Sequence, residues 1–290
     1  MSKAKIFVGV PGSGKSTTAL QFVNQGYVQL ERDLIRKELY GVWYGGNIDE
    51  QRVTHVQIDR ARQAILAGKN IIVSDTNINP TTRNEWIKFC SSMGAEVDVV
   101  HIGHDLLLDD LISRNRNRDD QTKVVPDSVV TRFYTEYREQ FPMQAIQYGD
   151  VSMMQPAFVV DIDGTIANME GVRGPFDWKK VGNDAPYNDV IELIRTLSNV
   201  GNKIIVVSGR DAVCRDETYG WLVLNDVPFD RLLMRPEGSQ VRDSIIKHDI
   251  YHRDIAPHYN VRGVFDDRNQ VVAMWRAIGL RCYQVQLGNF

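Results

Sequence analysis

One stretch of eight residues near the N-terminus restricts the fold of this chain more than any other. Residues 9–16 read GVPGSGKS and match the pattern G-x-x-x-x-G-K-S/T in full. A short β-branched run precedes them and an amphipathic stretch follows, so the pattern predicts a loop between a strand and a helix. In such a loop the glycines let backbone N–H groups close around phosphate oxygens, and the helix N-terminus favours their negative charge. The sequence therefore predicts an α/β domain that binds a nucleoside triphosphate.

Two side chains of this loop have expected chemical roles. Lys15 would reach the β- and γ-phosphates, and the hydroxyl of Ser16 would hold Mg²⁺. The residues expected to contact the nucleotide are Gly9, Pro11, Gly12, Ser13, Gly14, Lys15, Ser16 and Thr17. The loop indicates only the phosphate donor, so the acceptor has to be inferred from other residues.

Strand-like and helix-like segments alternate along both halves of the chain. In the first half, β-branched runs near residues 5–10, 70–75 and 96–102 are separated by stretches with apolar residues at helical spacing. Similar runs start again at residue 157, after the irregular stretch GDVSMMQP at 149–156. This alternation predicts parallel sheets covered by helices. The 290 residues suffice for two domains, which we predict at 1–150 and 151–290.

Three polar residues of the first half are candidates for binding the phosphate acceptor. Asp33 and Arg36 are three residues apart and so share one helical face. The carboxylate would accept a proton from an attacking hydroxyl, and the guanidinium would hold an anionic group of the acceptor. A salt-bridged, exposed helix start is the simpler alternative for this pair. Asp75 ends an apolar strand, where open α/β sheets bind ligands, but the same position also suits a helix N-cap.

Arginines at alternate positions suggest a lid over the phosphates. Arg114, Arg116 and Arg118 lie on a polar segment just before Val124. Guanidinium groups that fold over a triphosphate offset the charge of the transition state. A solvated helix end is the alternative that spacing alone leaves open.

The second half opens with a strand that ends in two acids. Asp161 and Asp163, in the stretch DIDGT, would converge on one Mg²⁺ and one phosphate. Asp161 would attack phosphorus and form an aspartyl-phosphate. Asp163 would protonate the leaving oxygen and then activate water.

Further polar residues at later strand ends complete this second set. Ser208 would donate its hydroxyl to the phosphoryl group, with Arg210 nearby, and Lys247 would offset the developing charge. Asp266 and Asp267 would supply oxygen ligands for the metal. We expect Trp178, Trp221 and Trp275 to be core residues rather than platforms for base stacking.

Composition limits the possible partners and the compartment. The net charge is −3 and the pI is near 6.1, so a nucleic-acid ligand would be held at a short end by local positive charge. We expect no membrane span, because the longest apolar runs are too short, and no signal peptide. Cys90, Cys214 and Cys282 are odd in number and far apart, which favours a reducing cytoplasm.

Taken together, the motifs resemble the bifunctional polynucleotide kinase/3′-phosphatase of tailed bacteriophages, over essentially the whole chain. The resemblance is carried by the stretches GVPGSGKST, RDLIR, SDTNINP, VDIDGT, RGPFDW, VVSGR, APHY and FDDRNQVVAMWRAIG. It implies a P-loop kinase domain with helices on both faces of a parallel sheet. It also implies a phosphatase domain similar to haloacid dehalogenases, with a small cap within residues 166–186.

The resemblance also implies roles for individual residues. In the kinase, Asp33 matches the general base, Arg36 the residue that holds the acceptor's 3′-phosphate, and Arg118 the lid arginine. Arg114 would support the lid and Asp75 the acceptor. In the phosphatase, Asp161 and Asp163 match the nucleophile and the acid/base, and Asp266 and Asp267 the metal-binding pair. The positions that match the phosphate site or its support are Arg173, Ser208, Arg210, Asp243 and Lys247.

The implied reaction is the healing of broken RNA or DNA ends with ATP and Mg²⁺. A 5′-hydroxyl would be phosphorylated and a 3′-phosphate removed, with 2′,3′-cyclic phosphates as a possible further substrate, before a separate ligase acts. The resemblance further implies a homotetramer.

The sequence departs from the family pattern in the lid. Asp119 and Asp120 follow Arg118 directly and would weaken its positive potential, so Arg114 or Arg116 would share its role. The segment YGVWYGGNIDEQ aligns loosely with the family, which leaves any substrate preference encoded there open.

Two other functions fit the same motifs. A small-metabolite kinase fused to a metabolite phosphatase would keep both reactions and change the acceptor. An ATP-dependent switch or scaffold would bind phosphate without turnover, although the complete set of acids and Lys247 argues against it.

Overall fold

A computed structural model describes residues 1–145 and 153–288. The chain divides into two compact units, Met1–Phe141 and Pro142–Phe290. The boundary predicted at 149–156 lies partly outside the described residues, so the domain limits of 1–150 and 151–290 stay a prediction. Each unit has its own sheet and its own core, as described below.

The first unit is built on a four-stranded parallel sheet. Its strands are β1 (Lys3–Val8), β2 (Val28–Leu30), β3 (Ile71–Val73) and β4 (Glu96–His101). They lie in the order β2-β3-β1-β4. All three residues of β3 and the last three of β1 are buried Ile, Val or Phe. Because successive side chains of a strand point to opposite faces, the sheet is buried on both faces here.

Helices connect these strands and cover the sheet. They are α1 (Lys15–Val23), α2 (Arg32–Tyr40), α3 (Glu50–Leu66), α4 (Pro80–Ser92), α5 (Leu108–Arg116) and α6 (Asp127–Gln140). Helix α4 begins where the dipeptide Asn79-Pro80 predicts, and the Asn79 side chain accepts hydrogen bonds from the N–H groups of Thr81 and Thr82.

The second unit contains a five-stranded parallel sheet. Its strands are β5 (Gln155–Val160), β8 (Lys203–Asp211), β9 (Arg231–Arg235), β10 (Tyr259–Arg268) and β11 (Cys282–Gly288), in the order β11-β10-β5-β8-β9. A separate antiparallel ribbon joins β6 (Ala167–Asn168) to β7 (Ala185–Pro186). The ribbon and the 3₁₀ helix Trp178–Asn183 lie within the segment where the sequence predicts a small cap.

In the described part of the second unit, four α-helices flank the sheet. They are α7 (Asn188–Asn199), α8 (Arg215–Leu224), α9 (Asp243–Ile250) and α10 (Asn269–Ala277). Alternate residues of β8 contribute to two different cores: Ile204 and Val206 pack with Trp221, whereas Ile205 and Val207 pack with Trp275. The sheet is therefore covered on both faces.

The three tryptophans of the second unit differ in burial. Trp221 and Trp275 are buried, as expected. Trp178 is half-buried, because one part of it packs against the core while it also lines the cavity of the second unit. No helix among the described residues is long and apolar enough to cross a bilayer.

Candidate active sites

The loop between β1 and α1 has the conformation that a phosphate cradle requires. Gly12 and Gly14 have φ angles of +88° and +94°, which L side chains rarely adopt. A methyl group on Gly12 would lie 2.5 Å from the carbonyl oxygen of Leu111, so α5 packs directly against the loop. Gly14 precedes the first turn of α1 and has no side chain to cap it, which leaves the first N–H groups of that helix available to an anion.

Lys15 lies inside this loop. Its Nζ donates a hydrogen bond to the carbonyl oxygen of Val10 at 3.0 Å. Burial lowers the pKa of Lys15 from 10.5 to about 8, and the nearby Glu31 carboxylate opposes that shift. A phosphate group beside this ammonium would raise its pKa and stabilise the charged form.

Glu31 is the first of three acids that no sequence motif marked. The Ser16 hydroxyl donates to Glu31 Oε1 at 3.1 Å, and Gln29 Nε2 donates to Glu31 Oε2 at 2.7 Å. Burial, and then the neighbouring Asp33, raise the pKa of Glu31. The hydroxyl expected to hold Mg²⁺ thus has an acidic oxygen next to it, which is the donor chemistry that Mg²⁺ prefers. No motif marks Glu31, because an acid at a helix start is common on protein surfaces.

Asp75 lies at the end of β3 and holds the start of α2. Its Oδ1 accepts a hydrogen bond from the N–H of Arg32 at 2.8 Å, and Gln57 Nε2 donates to its Oδ2 at 2.7 Å. Asn79, not Asp75, caps the helix that follows in sequence. Asp75 therefore fixes the helix that carries Asp33 on its second residue.

Asp33 and Arg36 meet on one face of α2, as their spacing predicts. Arg36 Nη1 donates to Asp33 Oδ1 at 2.5 Å, and Arg36 Nε donates to Glu50 Oε1 at 2.8 Å. Hydrogen bonding and charge from Glu50 and Asp33 outweigh burial and raise the pKa of Arg36. Glu50, at the start of α3, is a second acid that the sequence analysis missed.

These groups surround one cavity of about 290 Å³ in the first unit. The predicted site residues among its lining are Pro11, Lys15, Ser16, Asp33, Arg36, Asp75 and Arg118. Thr17 is exposed on the first turn of α1. The predicted nucleotide-binding residues that are not part of this lining are Gly9, Gly12, Ser13, Gly14 and Thr17. The cavity brings the expected phosphate loop and the expected acceptor residues together.

The three lid arginines have different surroundings. Arg118 lines the cavity and donates from Nη1 to the carbonyl oxygen of Lys123 at 2.9 Å. Arg114 is exposed on α5 and does not line the cavity, and Arg116 forms an ion pair with Asp127. The geometry favours Arg118 as the lid residue. It does not bring Arg114 or Arg116 to the site.

One of the two acids that follow Arg118 has a local structural role. Asp120 caps a short 3₁₀ helix, Gln121–Lys123, by accepting a hydrogen bond from the N–H of Thr122 at 3.0 Å. Hydrogen bonds from Thr122 also lower the pKa of Asp120. The carboxylate therefore organises the lid segment itself.

The loosely aligned segment after α2 is bound to the lid. Trp43 Nε1 donates to Thr122 Oγ1 at 3.0 Å, and the Tyr44 hydroxyl donates to the carbonyl oxygen of Val124 at 2.7 Å. Both aromatic residues line the cavity beside Arg36. The segment thus contributes to the acceptor side of the cavity, which its sequence did not indicate.

In the second unit, Asp161 lies among buried charges at the end of β5. Lys247 Nζ is 2.8 Å from Asp161 Oδ1, 3.0 Å from Asp266 Oδ2 and 3.6 Å from Asp243 Oδ2. Burial opposes the charge of Lys247, but the three carboxylates outweigh it and raise its pKa. For Asp161, burial raises the pKa well above its usual range. One ammonium group therefore orients three acids.

Three carboxylates of this cluster can share a metal ion. Ligand oxygens of Asp161, Asp266 and Asp267 all lie within 4.8 Å of one another. Both Asp267 oxygens are buried, and neither accepts a hydrogen bond from another described residue. Burial, and then the Asp266 carboxylate, raise the pKa of Asp267 to about 6. Orphaned acidic oxygens fit Mg²⁺, a hard cation that binds oxygen ligands.

The structure does not bring the Asp163 carboxylate into this metal cluster. Its Oδ1 accepts hydrogen bonds from Arg173 Nη2 and Arg210 Nη2, both at 2.7 Å. The two arginines also bind Asp184, through Arg173 Nε at 2.8 Å and Arg210 Nη2 at 2.6 Å. Both guanidinium groups are buried, so they hold Asp163 from the protein interior. Asp184 is the third acid that the sequence analysis missed.

The remaining predicted residues differ in their access to the cavity. Ser208 is buried in β8 and does not line the cavity, and its hydroxyl accepts a hydrogen bond from the N–H of Arg210 at 3.2 Å. Gly209 allows Asp243 to approach, since a methyl group there would lie 2.3 Å from Asp243 Oδ1. Asp161, Asp163, Asp243 and Asp267 open into a cavity of about 620 Å³.

Family models match both units of the chain. Residues 155–290 match the polynucleotide kinase PNKP phosphatase domain, and residues 5–139 match the AAA domain. Together with the viral relative described below, these matches support a bifunctional polynucleotide kinase/phosphatase, which is an enzyme. They confirm the resemblance seen in the motifs and the predicted fold class of each half.

Individual relatives extend the comparison. A protein of Autographa californica nuclear polyhedrosis virus, provisionally named a bifunctional polynucleotide kinase/RNA ligase, is 29% identical over 93% of this chain. The chain spans 40% of the length of that relative. A component of the Pnkp1/Rnl/Hen1 RNA repair complex is 27% identical, with all of this chain and 97% of that component covered and a TM-score of 0.48.

Proposed function

We propose that this protein heals broken RNA or DNA ends. The first unit would transfer the γ-phosphate of ATP to a 5′-hydroxyl, and the second would hydrolyse a 3′-phosphate. The observation that carries the proposal is the cavity of the first unit, in which Lys15 and Ser16 lie together with Asp33 and Arg36. A phosphate loop alone would indicate a nucleotide, whereas a base and a second anion-binding group indicate an acceptor that itself carries a phosphate.

In the kinase reaction, Asp33 would remove the proton from the attacking 5′-hydroxyl. Arg36 would bind the acceptor's own 3′-phosphate, with Glu50 keeping the guanidinium in place. Lys15 and Arg118 would offset the charge that develops on the transferred phosphoryl group. Ser16, with Glu31 behind it, would hold Mg²⁺, which neutralises phosphate charge when bound.

In the phosphatase reaction, Asp161 would attack phosphorus while the bond to the 3′-oxygen breaks. Asp163 would give its proton to that oxygen. Water would then attack the aspartyl-phosphate, Asp163 would take up a proton from it, and the Asp161–phosphorus bond would break to release inorganic phosphate. Lys247 orients Asp161 throughout, while Arg173 and Arg210 orient Asp163. Asp161, Asp266 and Asp267 would hold Mg²⁺, which supplies positive charge to the phosphate oxygens.

The proposal extends to partners and surroundings. The products would be a 5′-phosphate and a 3′-hydroxyl, which a ligase requires, and the viral relative carries RNA ligase in its name. Three unpaired cysteines support a reducing cytoplasm as the site of action. The homotetramer and the use of 2′,3′-cyclic phosphates stay predictions.

The test is an assay of both ends of defined oligonucleotides. The protein is incubated with Mg²⁺ and γ-labelled ATP on a 5′-hydroxyl oligonucleotide, and separately with a 3′-phosphorylated oligonucleotide. We expect label transfer that Lys15→Ala abolishes and phosphate release that Asp161→Asn abolishes. Preferential labelling of free sugars or nucleosides would instead identify a small-metabolite kinase. Binding without either reaction would identify a switch or scaffold.

A further inference from the structure

One aromatic ring at the phosphatase cavity is unusually exposed. Phe176 exposes 81% of its surface, more than any other aromatic side chain among the exposed hydrophobic residues of 1–145 and 153–288. It lines the same cavity as Asp161 and Asp163. An apolar ring this exposed contributes little to folding, and its position beside reactive groups points to a ligand.

The ring is held in place by its neighbours in the cap segment. Arg173 Nη1 donates hydrogen bonds to the carbonyl oxygens of Gly174 and Pro175, at 3.3 and 3.4 Å. The Trp178 ring contacts the Phe176 ring edge-to-face, with centroids 5.9 Å apart and planes at 84°. Trp178 itself packs against the core. Because Arg173 also binds Asp163, the loop that carries the exposed ring is tied to the catalytic centre.

The rest of the cavity suits one nucleotide. Its volume of about 620 Å³ lies within the range of roughly 300–1,000 Å³ that small-molecule sites occupy. Arg242 and Arg268 line it together with Ser239 and Gln240, which provides positive charge and polar groups for a phosphodiester. A free phosphate or a compact phosphorylated metabolite would not need an exposed aromatic ring.

We propose that Phe176 is the stacking platform for the nucleobase of the 3′-terminal nucleotide whose phosphate is removed. The inference rests on the proposed 3′-phosphatase function and names the part of the substrate that this site recognises. Stacking tolerates any base, because every base has a π-face. Phe176 would therefore select nucleotides over base-free phosphate esters without reading sequence.

The experiment compares two oligonucleotide substrates that differ only at the 3′-terminal sugar. Both carry a 3′-phosphate, and one lacks the terminal base. Base–aromatic stacking contributes about 1–3 kcal/mol by alanine substitution, which corresponds to roughly 5- to 150-fold. We expect Phe176→Ala to lower kcat/KM on the base-bearing substrate by such a factor, mainly through KM, and to leave the base-free substrate unchanged.

Three further variants separate stacking from other effects. Phe176→Tyr keeps the ring and should retain the wild-type preference, whereas Phe176→Leu keeps apolar bulk without the ring and should lose most of it. Tyr219 is another exposed aromatic residue of the same unit, paired with Phe229 and absent from the cavity lining, so Tyr219→Ala should change neither substrate.

The outcomes distinguish this inference from the function on which it rests. Equal losses on both substrates, no loss on the base-bearing one, or a wild-type enzyme indifferent to the terminal base would each overturn the stacking role. A wild-type protein that hydrolyses neither substrate would instead contradict the 3′-phosphatase function.

Discussion

Two aspartates that are two residues apart differ in nearly every neighbour. Asp161 contacts Lys247 and faces other carboxylates, whereas Asp163 contacts two arginines. Asp161, which lies among other carboxylates, is suited to share a cation with them and to attack phosphorus. Asp163, which two guanidinium groups hold in one orientation, is suited to a different role. The surroundings, rather than the residue type, therefore separate the two proposed roles.

Asp184 should be essential although it does not reach the cavity. It balances the buried guanidinium groups of Arg173 and Arg210, so Asp184→Asn leaves two cations to share Asp163. Breaking a buried ion pair typically destabilises a protein by about 3–5 kcal/mol. We expect a loss of that order in the unfolding of the second unit, measured by urea denaturation, together with loss of phosphatase activity.

A matched control for this prediction lies in the same segment. Asp177 pairs with Lys180 at the surface, so Asp177→Asn should change stability by less than about 0.5 kcal/mol. Comparable losses of unfolding free energy from both substitutions would show that the buried ion pairs of Asp184 stabilise the unit no more than a surface pair does.

Lys15, which the proposed kinase reaction requires, should lower the stability of the folded protein. Its pKa falls from 10.5 to about 8 through burial, so the folded state disfavours the charged form. The penalty is present in full below pH 8 and disappears as pH rises toward 10.5, where the lysine is neutral in both states. A pKa difference of one unit corresponds to about 1.4 kcal/mol, so the burial penalty of Lys15 amounts to about 3 kcal/mol.

The test is Lys15→Met, which keeps the length and removes the charge. We expect the variant to be inactive as a kinase and more stable than wild type at pH 7, by up to about 3 kcal/mol. The difference should narrow as denaturation is repeated toward pH 9.5. Lys69→Met at an exposed position is the control, and a constant difference at every pH would contradict the burial penalty.

At the scale of elements, the phosphate loop offers a comparison between two glycines. Gly12 and Gly14 share a positive φ, so alanine should strain either by about 1–2 kcal/mol. Only at Gly12 would the methyl group also meet the backbone of α5, whereas nothing lies within 4 Å at Gly14. Urea denaturation should therefore show a clearly larger loss for Gly12→Ala than for Gly14→Ala. Equal losses would mean that the loop does not pack against α5 as described.

The elements were predictable where local signals were strong. The β-branched run at Lys3–Val8 and the cap at Asn79 are local, and both elements form as expected. Strand β2 was missed because it has three residues, one of them a glutamine, and because its pairing with β3 depends on distant residues. The ribbon β6–β7 has two residues in each strand, which is too short for a periodic signal.

The candidate sites were predictable as far as motifs reach. Motif residues such as Lys15, Asp33 and Asp161 lie in the expected cavities. Glu31, Glu50 and Asp184 carry no motif, and only tertiary packing places them beside Ser16, Arg36 and the buried arginines. A single sequence does not distinguish such an acid from a surface residue, because its partners are far away in the chain.

For the whole molecule, each of the two cavities is lined by residues of one unit. The cavity of the first unit is formed by the segments after β1, β2 and β3 together with the lid segment and α6. That of the second is formed by the segments after β5 and β9, the ends of β8 and β10, and the cap. Within residues 1–145 and 153–288, the sheets and the core clusters of the two units share no residue. One broken strand needs a phosphate added at one end and removed at the other, so one chain with two chemistries is suited to both tasks.

Because the two cavities share no lining residue, we predict that the two activities can be lost one at a time. Lys15→Ala should abolish 5′-phosphorylation and leave 3′-dephosphorylation largely intact, because Lys15 lies only in the first cavity. Asp163→Asn should do the reverse, because Asp163 lies only in the second. Both rates are measured on the same preparations with the two oligonucleotide assays, alongside circular dichroism to verify folding. Loss of both activities in a folded Lys15→Ala protein would mean that the sites depend on each other, and the description of two independent phosphate sites would have to be abandoned.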